Sequence, residues 1–208
     1  NKSFDQIPEF TKQKLCGKIN DQLEVILKLV DHCDHYLCDY LFHKYHYLGR
    51  PKLVGEHLKH LAFIDGQVVS CLAWSSAAWK VKSRDRIIGW DSITKPKNLH
   101  LIANNARFLV LPWIQVRHLA SKVLSLSLRR LSRDWQNKYN HQVCLAETFV
   151  DISRFKGTCY KAANWRYAGK TSGSAKRGNA YTYHGQPKAV FLYPLHRNFK
   201  RILNNDQG

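Results

Sequence analysis

ARFLVLPWIQVRHLASKVL, residues 106–124, is the stretch that decides the fold. Its first eight residues are mostly branched or aromatic and predict a strand that ends around Pro112. From Val116 to Tyr139 leucines and valines recur at helical spacing, which predicts a long helix. Unpaired N–H groups and the helix dipole at such a helix start form an anion site. The sequence predicts this site at Arg117, His118, Leu119, Ala120 and Ser121.

The flanking segments predict an α/β fold with a mixed sheet. Two β-rich runs on either side of Asp65-Gly66 predict a hairpin. Strands are also predicted at 23–30, 143–150 and 188–195, a helix from Asp31 or Asp34 to about Leu48 with Gly49 as its stop, and a short helix at 155–165. We expect one domain over residues 1–208, with an N-terminal extension at 1–22, a long basic and aromatic loop at 75–104 and a flexible loop at 172–187.

Charge is the dominant feature of the composition. The chain has 33 Lys and Arg against 15 Asp and Glu, a net charge of +18. Residues 154–208 carry 11 basic residues and one acidic residue, whereas residues 1–49 are nearly balanced. This asymmetry favours a polyanion partner, DNA or RNA, and the alternative is a surface charged for solubility. No apolar run approaches a membrane span and no signal-peptide pattern begins the chain, so we expect a cytoplasmic protein, with its six cysteines reduced.

The order of elements resembles the acetyl-CoA-dependent N-acyltransferase (GNAT) superfamily. In that fold a helix start beside a central strand holds the CoA pyrophosphate, which implies acetyl-CoA or a related acyl donor at Arg117–Ser121. The usual glycine-rich turn is here QVRHLAS, without glycine. GTCYKAANWRYAGKT (157–171) is similar to a helix-to-strand segment of the superfamily, and the resemblance implies that Tyr160 protonates the leaving thiolate. Core packing of Tyr160 is the alternative.

A more specific resemblance covers nearly the whole chain. HKYHYLG, NLHLIANNARFLVLPW, HLASKVLSLSLRRLSRDWQNKY and RFKGTCYKAANW are similar to the DruA family, component A of the Druantia anti-phage systems, whose related domains also occur joined to transposases. Longer members have an additional N-terminal region. A distant likeness to Mom-type DNA-modifying enzymes matches HYLG (46–49), Ser121 and Tyr160. These resemblances imply action on or near DNA, with helicase or transposase partner proteins.

Histidines line one face of the first predicted helix. At about 100° per residue one stripe of the helix holds His32, His35, Asp39, His43 and His46. Three interpretations of this stripe are open: a solvated polar face, a metal site, or one wall of a substrate site. Cys33 and Cys38 lie about 140° apart, which disfavours zinc, and we expect no metal. The third alternative makes His46 and Tyr47 the wall of the acceptor site, with His46 as a general base.

Two further groups of residues are candidates. Glu147 and Asp151, four apart on a predicted strand, could bind a divalent metal or order a substrate amine, and Asp151 could instead cap a turn near Ser153. Aromatic residues interleave with cations in the predicted loop at 75–104. Such a loop suits nucleotide stacking, and the alternative is that its tryptophans fold inward as a small satellite core. The predicted nucleic-acid-binding residues are Trp79, Lys80, Lys82, Arg84, Arg86, Trp90, Lys176 and Arg177.

Three functions are compatible with these patterns. The first is transfer of an acyl-type group from a CoA-like donor to a nucleic-acid base in anti-phage defence or transposition, with Tyr160 as acid and His46, Tyr47 or Glu147 at the acceptor. The second is a non-catalytic DNA-binding module that keeps the GNAT-like fold and serves a partner protein. The third is a metal-dependent nuclease built on Glu147 and Asp151.

Overall fold

A computed structural model describes residues 6–19, 23–177, 180–183 and 186–205, with backbone alone at 174–177 and 180–183. In chain order the elements are β1 (Leu15–Lys18), β2 (Ile26–Leu29), α1 (His35–Tyr45), β3 (His57–Ile64), β4 (Gln67–Ser76), α2 (Lys82–Ile88), α3 (Thr94–Asn98), a 3-10 turn (Leu99–Leu101), β5 (Ile102–Val110), β6 (Ile114–Arg117), α4 (Leu119–Tyr139), β7 (Leu145–Asp151), α5 (Thr158–Ala162), β8 (Arg166–Lys170), β9 (Ser174–Arg177), β10 (Ala180–Tyr183), β11 (Lys188–Pro194) and α6 (Phe199–Asn204).

The fold is a mixed α/β fold, as the sequence predicts. Seven strands form a mixed sheet in the order β2-β3-β4-β5-β7-β11-β8. The pairs β2–β3, β3–β4, β7–β11 and β8–β11 are antiparallel. Two compact units are distinguished along the chain, the first Asn1–Ser75 with Asn105–Arg130 and the second Ser76–Asn104 with Leu131–Gly208. The extent of the domain, 1–208, stays a prediction.

The hairpin around Asp65-Gly66 is confirmed. Asp65 (φ 48°) and Gly66 (φ 76°) both have positive φ, as a tight two-residue turn between twisted strands requires. The register pairs Ile64 with Gln67 next to the turn and shifts between Ala62 and Phe63. A register shift of this kind is a β-bulge or a similar irregularity in the pairing of β3 with β4.

The first unit has a buried core behind this hairpin. Trp74 is fully buried, and its indole Nε1–H donates a 3.0 Å hydrogen bond to Ser127 Oγ on α4. Ser127 Oγ lies 3.3 Å from Nδ1 of the buried His60 on β3. The structure therefore places Trp74 in the core of the first unit, with its indole N–H satisfied by Ser127.

The first helix is shorter than predicted. It ends at Tyr45, and His46, in extended conformation, is its C-cap. Gly49 (φ 63°) closes a separate turn, in which its N–H donates to the His46 carbonyl at 2.7 Å. The Asp34 side chain makes no cap, and Asp31 Oδ1 instead accepts the N–H groups of Cys33 and Asp34 at 2.8 and 3.1 Å. Asp31 therefore caps the turn that precedes α1, and neither predicted N-cap carboxylate caps the helix itself.

Short helices and strands lie in the two stretches predicted as loops and in the predicted N-terminal extension. The 75–104 stretch holds the end of β4, α2, α3, the 3-10 turn and the start of β5. The 172–187 stretch holds β9 and β10, which pair antiparallel. The 1–22 extension contributes β1, which pairs in parallel with β6. Short elements of four to seven residues lack the periodicity on which the predictions depended.

The second unit has its own apolar core. Residues of α2, β5, β7, β11 and α6 pack together there, and the buried members are Val81, Ile88, Ile102, Cys144, Leu145, Val190, Leu192 and Leu203. Asn98 links α3 to the end of α6, because its side-chain amide donates hydrogen bonds to the carbonyls of Leu203 and Asn205 at 3.1 and 2.8 Å. The residues between β4 and β5 are thereby an integral part of this unit.

Candidate functional site

The turn between β6 and α4 is the first candidate region. Strand β6 is held by β1, and the Ile19 N–H donates to the Arg117 carbonyl at 3.0 Å. His118 then adopts φ 67°, a left-handed conformation more common for glycine. α4 begins at Leu119, three residues later than predicted, because residues 114–117 extend along β1. The chain thus makes the sharp strand-to-helix turn with a histidine in a conformation that glycine adopts more readily.

The α4 start has the features of an anion site. The carbonyl of His118 accepts both the Lys122 N–H and the Ser121 hydroxyl at 3.0 Å. The first N–H groups of an α-helix have no intrahelical acceptor and carry the positive end of the dipole. The side chains of Arg117, His118 and Lys122 are exposed around this start, whereas Leu119 is buried. The backbone donors and the exposed cations of Arg117 and Lys122 fit a diphosphate by charge and hydrogen-bonding chemistry.

His46, Tyr47 and Arg107 form a second cluster in the same unit. The imidazole of His46 lies 4.9 Å from the Tyr47 ring and contacts Phe42 edge-on. Its Nδ1 accepts the Leu48 N–H at 3.1 Å. Arg107 Nε donates to the carbonyl of Gly49 at 3.4 Å. The cluster thus lies at the end of the first helix, where the sequence predicted a wall.

The protonation state of His46 follows from these contacts. Burial lowers the pKa of His46 to about 4, and Arg107 acts in the same direction. At neutral pH the imidazole is therefore uncharged, and because Nδ1 is an acceptor, Nε2 carries the proton. His46 is arranged to donate a hydrogen bond through Nε2, while its lone pair is already engaged by Leu48. Its predicted role as a general base stays a prediction.

A buried carboxylate interrupts the histidine stripe. Asp39 is buried and forms ion pairs with Lys59 and, at 2.8 Å, with Arg50. His35 Nδ1 lies 3.4 Å from Asp39 Oδ2, and His35 Nε2 lies 3.1 Å from Lys59 Nζ. His43 remains exposed, and His32 precedes the helix. The stripe therefore divides into a solvated part and a buried ion cluster.

Glu147 lies in the second unit, and its surroundings are those of a structural ion pair. Neither Glu147 nor Arg84 has any exposed surface, and Arg84 Nη1 donates to Glu147 Oε2 at 2.8 Å. The other carboxylate oxygen accepts the Ala78 N–H at 2.8 Å. Burial raises the pKa of Glu147, and the Arg84 cation and the Ala78 N–H oppose that shift. Both carboxylate oxygens are thus engaged by the protein itself.

Asp151 and Tyr160, also in the second unit, each match the alternative stated for them. Asp151 Oδ1 accepts the Ser153 N–H and hydroxyl at 3.0 and 2.6 Å, so it caps a turn. The buried Tyr160 ring stacks on Phe191 with centroids 6.1 Å apart and meets Trp165 edge-on at 5.3 Å. The structure gives both residues a packing or capping role, and their catalytic roles stay predictions.

The predicted nucleic-acid-binding residues separate into buried and exposed members. Arg84 is buried and forms ion pairs with Glu147 and Asp85. Trp90 packs against the apolar core, and the Arg84 guanidinium lies 5.6 Å from the centroid of its ring. The exposed members are Trp79, Lys80, Lys82 and Arg86. Lys176 and Arg177 lie on β9, but their side chains are outside the described part of the chain. Four of the eight predicted residues are thus on the described surface.

One group of potential metal ligands lies before the first helix. Asp31, His32 and Cys33 are exposed, and one ligand atom of each lies within 4.8 Å of the others. The Asp31 carboxylate is already hydrogen-bonded to the Cys33 and Asp34 N–H groups. Exposed polar residues next to each other in sequence are common without a metal, so this group does not by itself indicate a site.

Comparison with known protein families identifies the chain. A family model described as Druantia protein DruA matches residues 4–180. The chain belongs to the DruA family. The predicted DruA resemblance is therefore confirmed over most of the sequence. No curated protein gave a significant match.

Solved structures confirm the fold. A GNAT-family acetyltransferase from Streptococcus pneumoniae aligns with a TM-score of 0.51 at 12% identity, covering 82% of this chain and 99% of that one. The aminoglycoside acetyltransferase AAC(6')-Ib, solved with ribostamycin and coenzyme A, aligns with a TM-score of 0.50 at 14% identity, covering 88% and 98%. Because the sequence identities are this low, the likeness establishes the fold alone, and this DruA protein has a GNAT-like fold. None of the helices in its described residues has both the length and the apolarity of a membrane span.

Three parts of the site region were not predicted from sequence. The Asp39–Lys59 pair joins a helix to a strand 20 residues away, and Arg107 lies 58 residues from its partner Gly49. The Arg84–Glu147 pair joins residues 63 apart. The signal that was available is a charged residue inside an otherwise apolar run, Lys59 in HLKHLAFI and Glu147 in LAETFVD, because such a charge requires a partner.

Proposed function

We propose that this DruA protein transfers an acyl-type group from a CoA-like donor to a nucleic-acid base. The observation that carries the proposal is the turn from β6 into α4, where His118 has φ 67° and the α4 start lies among exposed Arg117, His118 and Lys122. The donor diphosphate would accept hydrogen bonds from the first α4 N–H groups and ion pairs from the side chains of Arg117 and Lys122. The GNAT-like fold and the coenzyme A bound to AAC(6')-Ib support the choice of donor.

The acceptor would lie beside His46 and Tyr47. An amine of the base attacks the acyl carbon, the carbon–sulfur bond breaks as the carbon–nitrogen bond forms, and the amine proton is released while the thiolate takes up a proton. The neutral His46 ring would hold the acceptor through its Nε2–H, and Tyr47, 39% exposed, would form the wall. Protonation of the thiolate by Tyr160 belongs to the proposal and is tested separately by Tyr160→Phe.

Nucleic acid is the proposed acceptor because of charge and family. The net charge of +18 favours a polyanion, since each phosphate contact releases counterions. Membership of the DruA family suggests that the modification serves anti-phage defence or transposition in the cytoplasm, together with a helicase or transposase partner. DNA and RNA are distinguished by testing both as acceptors.

Isothermal titration with acetyl-CoA and with CoA tests the donor site. We expect heat with a dissociation constant on the order of micromolar, weakened roughly tenfold in Arg117→Ala and in Lys122→Ala, because each removes one charge-assisted contact. Arg129→Ala is the matched control, an exposed cation further along α4. The absence of heat with both ligands, or equal weakening in the control, would contradict the proposed donor site.

A non-catalytic DNA-binding module is the second candidate. The observation that favours it is the engagement of candidate catalytic groups, because Glu147 is paired with Arg84 and the Tyr160 ring is packed between aromatic side chains. In this case the GNAT-like fold would present its cations to DNA for a partner protein. No heat in the acetyl-CoA titration, together with DNA binding that weakens steeply with salt, would establish this function instead.

A further inference from the structure

Trp79, next to the end of β4, is a large apolar side chain that faces solvent. It is 58% exposed, although its neighbours Ala77 and Ala78 pack against the core of the second unit. The Nζ of Lys95 lies over its ring, 5.6 Å from the centroid. One face of the indole is therefore in contact with a cation, and the high exposure leaves ring surface open to solvent.

The backbone that carries Trp79 is held by a buried ion pair. Glu147 Oε1 accepts the Ala78 N–H at 2.8 Å, and Arg84 Nη1 donates to the Ala78 carbonyl at 2.8 Å. Arg84 Nη2 also reaches the Trp79 carbonyl at 3.5 Å. Because Arg84 and Glu147 are fully buried, these contacts are shielded from water and fix the position of the Trp79 backbone.

The same arginine extends the network to the ring itself. Arg84 Nε and Nη2 donate to Asp85 Oδ1 at 2.9 and 2.7 Å, and Lys95 Nζ donates to Asp85 Oδ2 at 2.7 Å. Asp85 thus holds Lys95 in place over Trp79. A continuous chain of charge-assisted hydrogen bonds runs from the buried Glu147 to the cation on the exposed indole.

The surface around Trp79 is positively charged. Residues 76–104 contain six Lys and Arg against two Asp, and the carboxylates of both Asp residues already accept hydrogen bonds within the segment. Lys82 and Arg86 are exposed one helical turn apart on α2, so they share a face, and Lys80 is exposed beside Trp79. A fixed aromatic ring among exposed cations suits a base stacked on the ring with its phosphates on the cations.

We propose that Trp79 is a stacking platform for an unpaired nucleobase, positioned by the buried Glu147–Arg84 pair, with Lys80, Lys82 and Arg86 contacting the adjoining phosphates. The inference rests on the proposed function, because it names the form of nucleic acid that function would use. The partner is single-stranded nucleic acid or a base extruded from a duplex, since a base inside a duplex has no free face for the indole. Glu147 is then a positioning residue for Trp79.

Fluorescence anisotropy with a labelled single-stranded oligonucleotide, and with the duplex of the same sequence, tests the platform. We expect Trp79→Ala to weaken single-strand binding roughly tenfold and Trp79→Phe to retain most of the affinity, because phenylalanine can still stack. Ile93→Ala is the matched control, another exposed apolar side chain of the same unit at 72% exposure, and we expect it to bind as wild type. Arg86→Ala should reduce the salt slope by about one, whereas Trp79→Ala should leave it unchanged.

The outcomes separate this inference from the proposed function. Trp79→Ala that binds the single strand within about twofold of wild type, or loses single strand and duplex equally, overturns the platform. The acetyl-CoA titration is repeated on Trp79→Ala, where we expect unchanged donor affinity. Wild-type protein that binds acetyl-CoA but no oligonucleotide also overturns the platform and leaves the donor site standing. If acetyl-CoA gives no heat but single-strand binding depends on Trp79, the platform is supported and the acyltransferase function is contradicted.

Discussion

Arg84 Nη1 donates a 2.8 Å hydrogen bond to Glu147 Oε2, and neither side chain has exposed surface. Removing one partner of such a pair leaves the other charge buried without it, which lowers stability. Arg84 also binds the carbonyl of Ala78 and the carboxylate of Asp85. The pair therefore connects the interior of the second unit to the surface that carries Trp79.

The first prediction concerns this pair. Glu147→Gln should lower the free energy of unfolding by about 2–4 kcal/mol, because it removes the fully buried one of the two carboxylates that pair with Arg84. Urea denaturation measures the change. The control is Asp151→Asn on the same strand, where the carboxylate is solvent-screened and its loss should lower the stability much less than Glu147→Gln does. A Glu147→Gln protein as stable as wild type would show that the ion pair does not hold the fold.

The second prediction concerns Asp39, the buried carboxylate that pairs with Lys59 and Arg50. Asp39→Asn should destabilise the protein by about 3 kcal/mol, since Lys59 is left buried with its charge uncompensated. Combining Asp39→Leu with Lys59→Met removes both buried charges. The double variant should lose about 1–3 kcal/mol less free energy of unfolding than the sum of the losses in the two single variants. Strict additivity in thermal or urea unfolding would count against a coupled pair.

The third prediction concerns pH. The pKa of His46 is lowered to about 4 in the folded protein from its ordinary value of 6.5, so between these pH values the unfolded chain binds a proton that the folded chain does not. Its contribution to stability is present above about pH 6.5 and is lost as pH falls toward 4, amounting to roughly 1–2 kcal/mol after allowance for solvent screening. His46→Asn keeps an acceptor for the Leu48 N–H and should flatten this part of the stability profile. An unchanged profile in the variant would assign the loss to other groups.

The fourth prediction compares two glycines with similar backbone conformations. Gly157 (φ 67°) has the Phe191 ring 2.9 Å from where a Cβ would lie, whereas Gly49 (φ 63°) has nothing within 4 Å. Gly49→Ala should cost about 1 kcal/mol from backbone strain alone. Gly157→Ala adds a clash with a buried ring and should cost about 1–3 kcal/mol more. Equal losses in thermal denaturation would contradict the packing of Phe191 against this turn.

The sequence predicts the long, periodic parts of this fold. The hairpin at Asp65-Gly66 and the helix that ends at Tyr139 were predicted because turn chemistry and leucine spacing are local signals. The α1 end was wrong by three residues, since Gly49 closes a separate turn and not the helix. The helices between 82 and 98 are five to seven residues long and were missed for want of a full amphipathic period.

The site was only partly predictable for a different reason. Arg117 and His118 could be placed at a helix start from sequence alone, because that argument is local. Arg84 was predicted to face nucleic acid, but its partner Glu147 is 63 residues away and takes the guanidinium into the interior. Long-range pairing of charges depends on the tertiary fold, so the spacing of Arg84 among other cations could not reveal it.

The most direct measurement is nucleoside mass spectrometry of single-stranded DNA and RNA incubated with the protein and acetyl-CoA carrying a labelled acetyl group. The account predicts a labelled, acetylated nucleoside whose yield falls in Arg117→Ala and in Tyr160→Phe but not in Arg129→Ala. Unmodified nucleosides from DNA and RNA, with acetyl-CoA left intact, would contradict acyl transfer to a base.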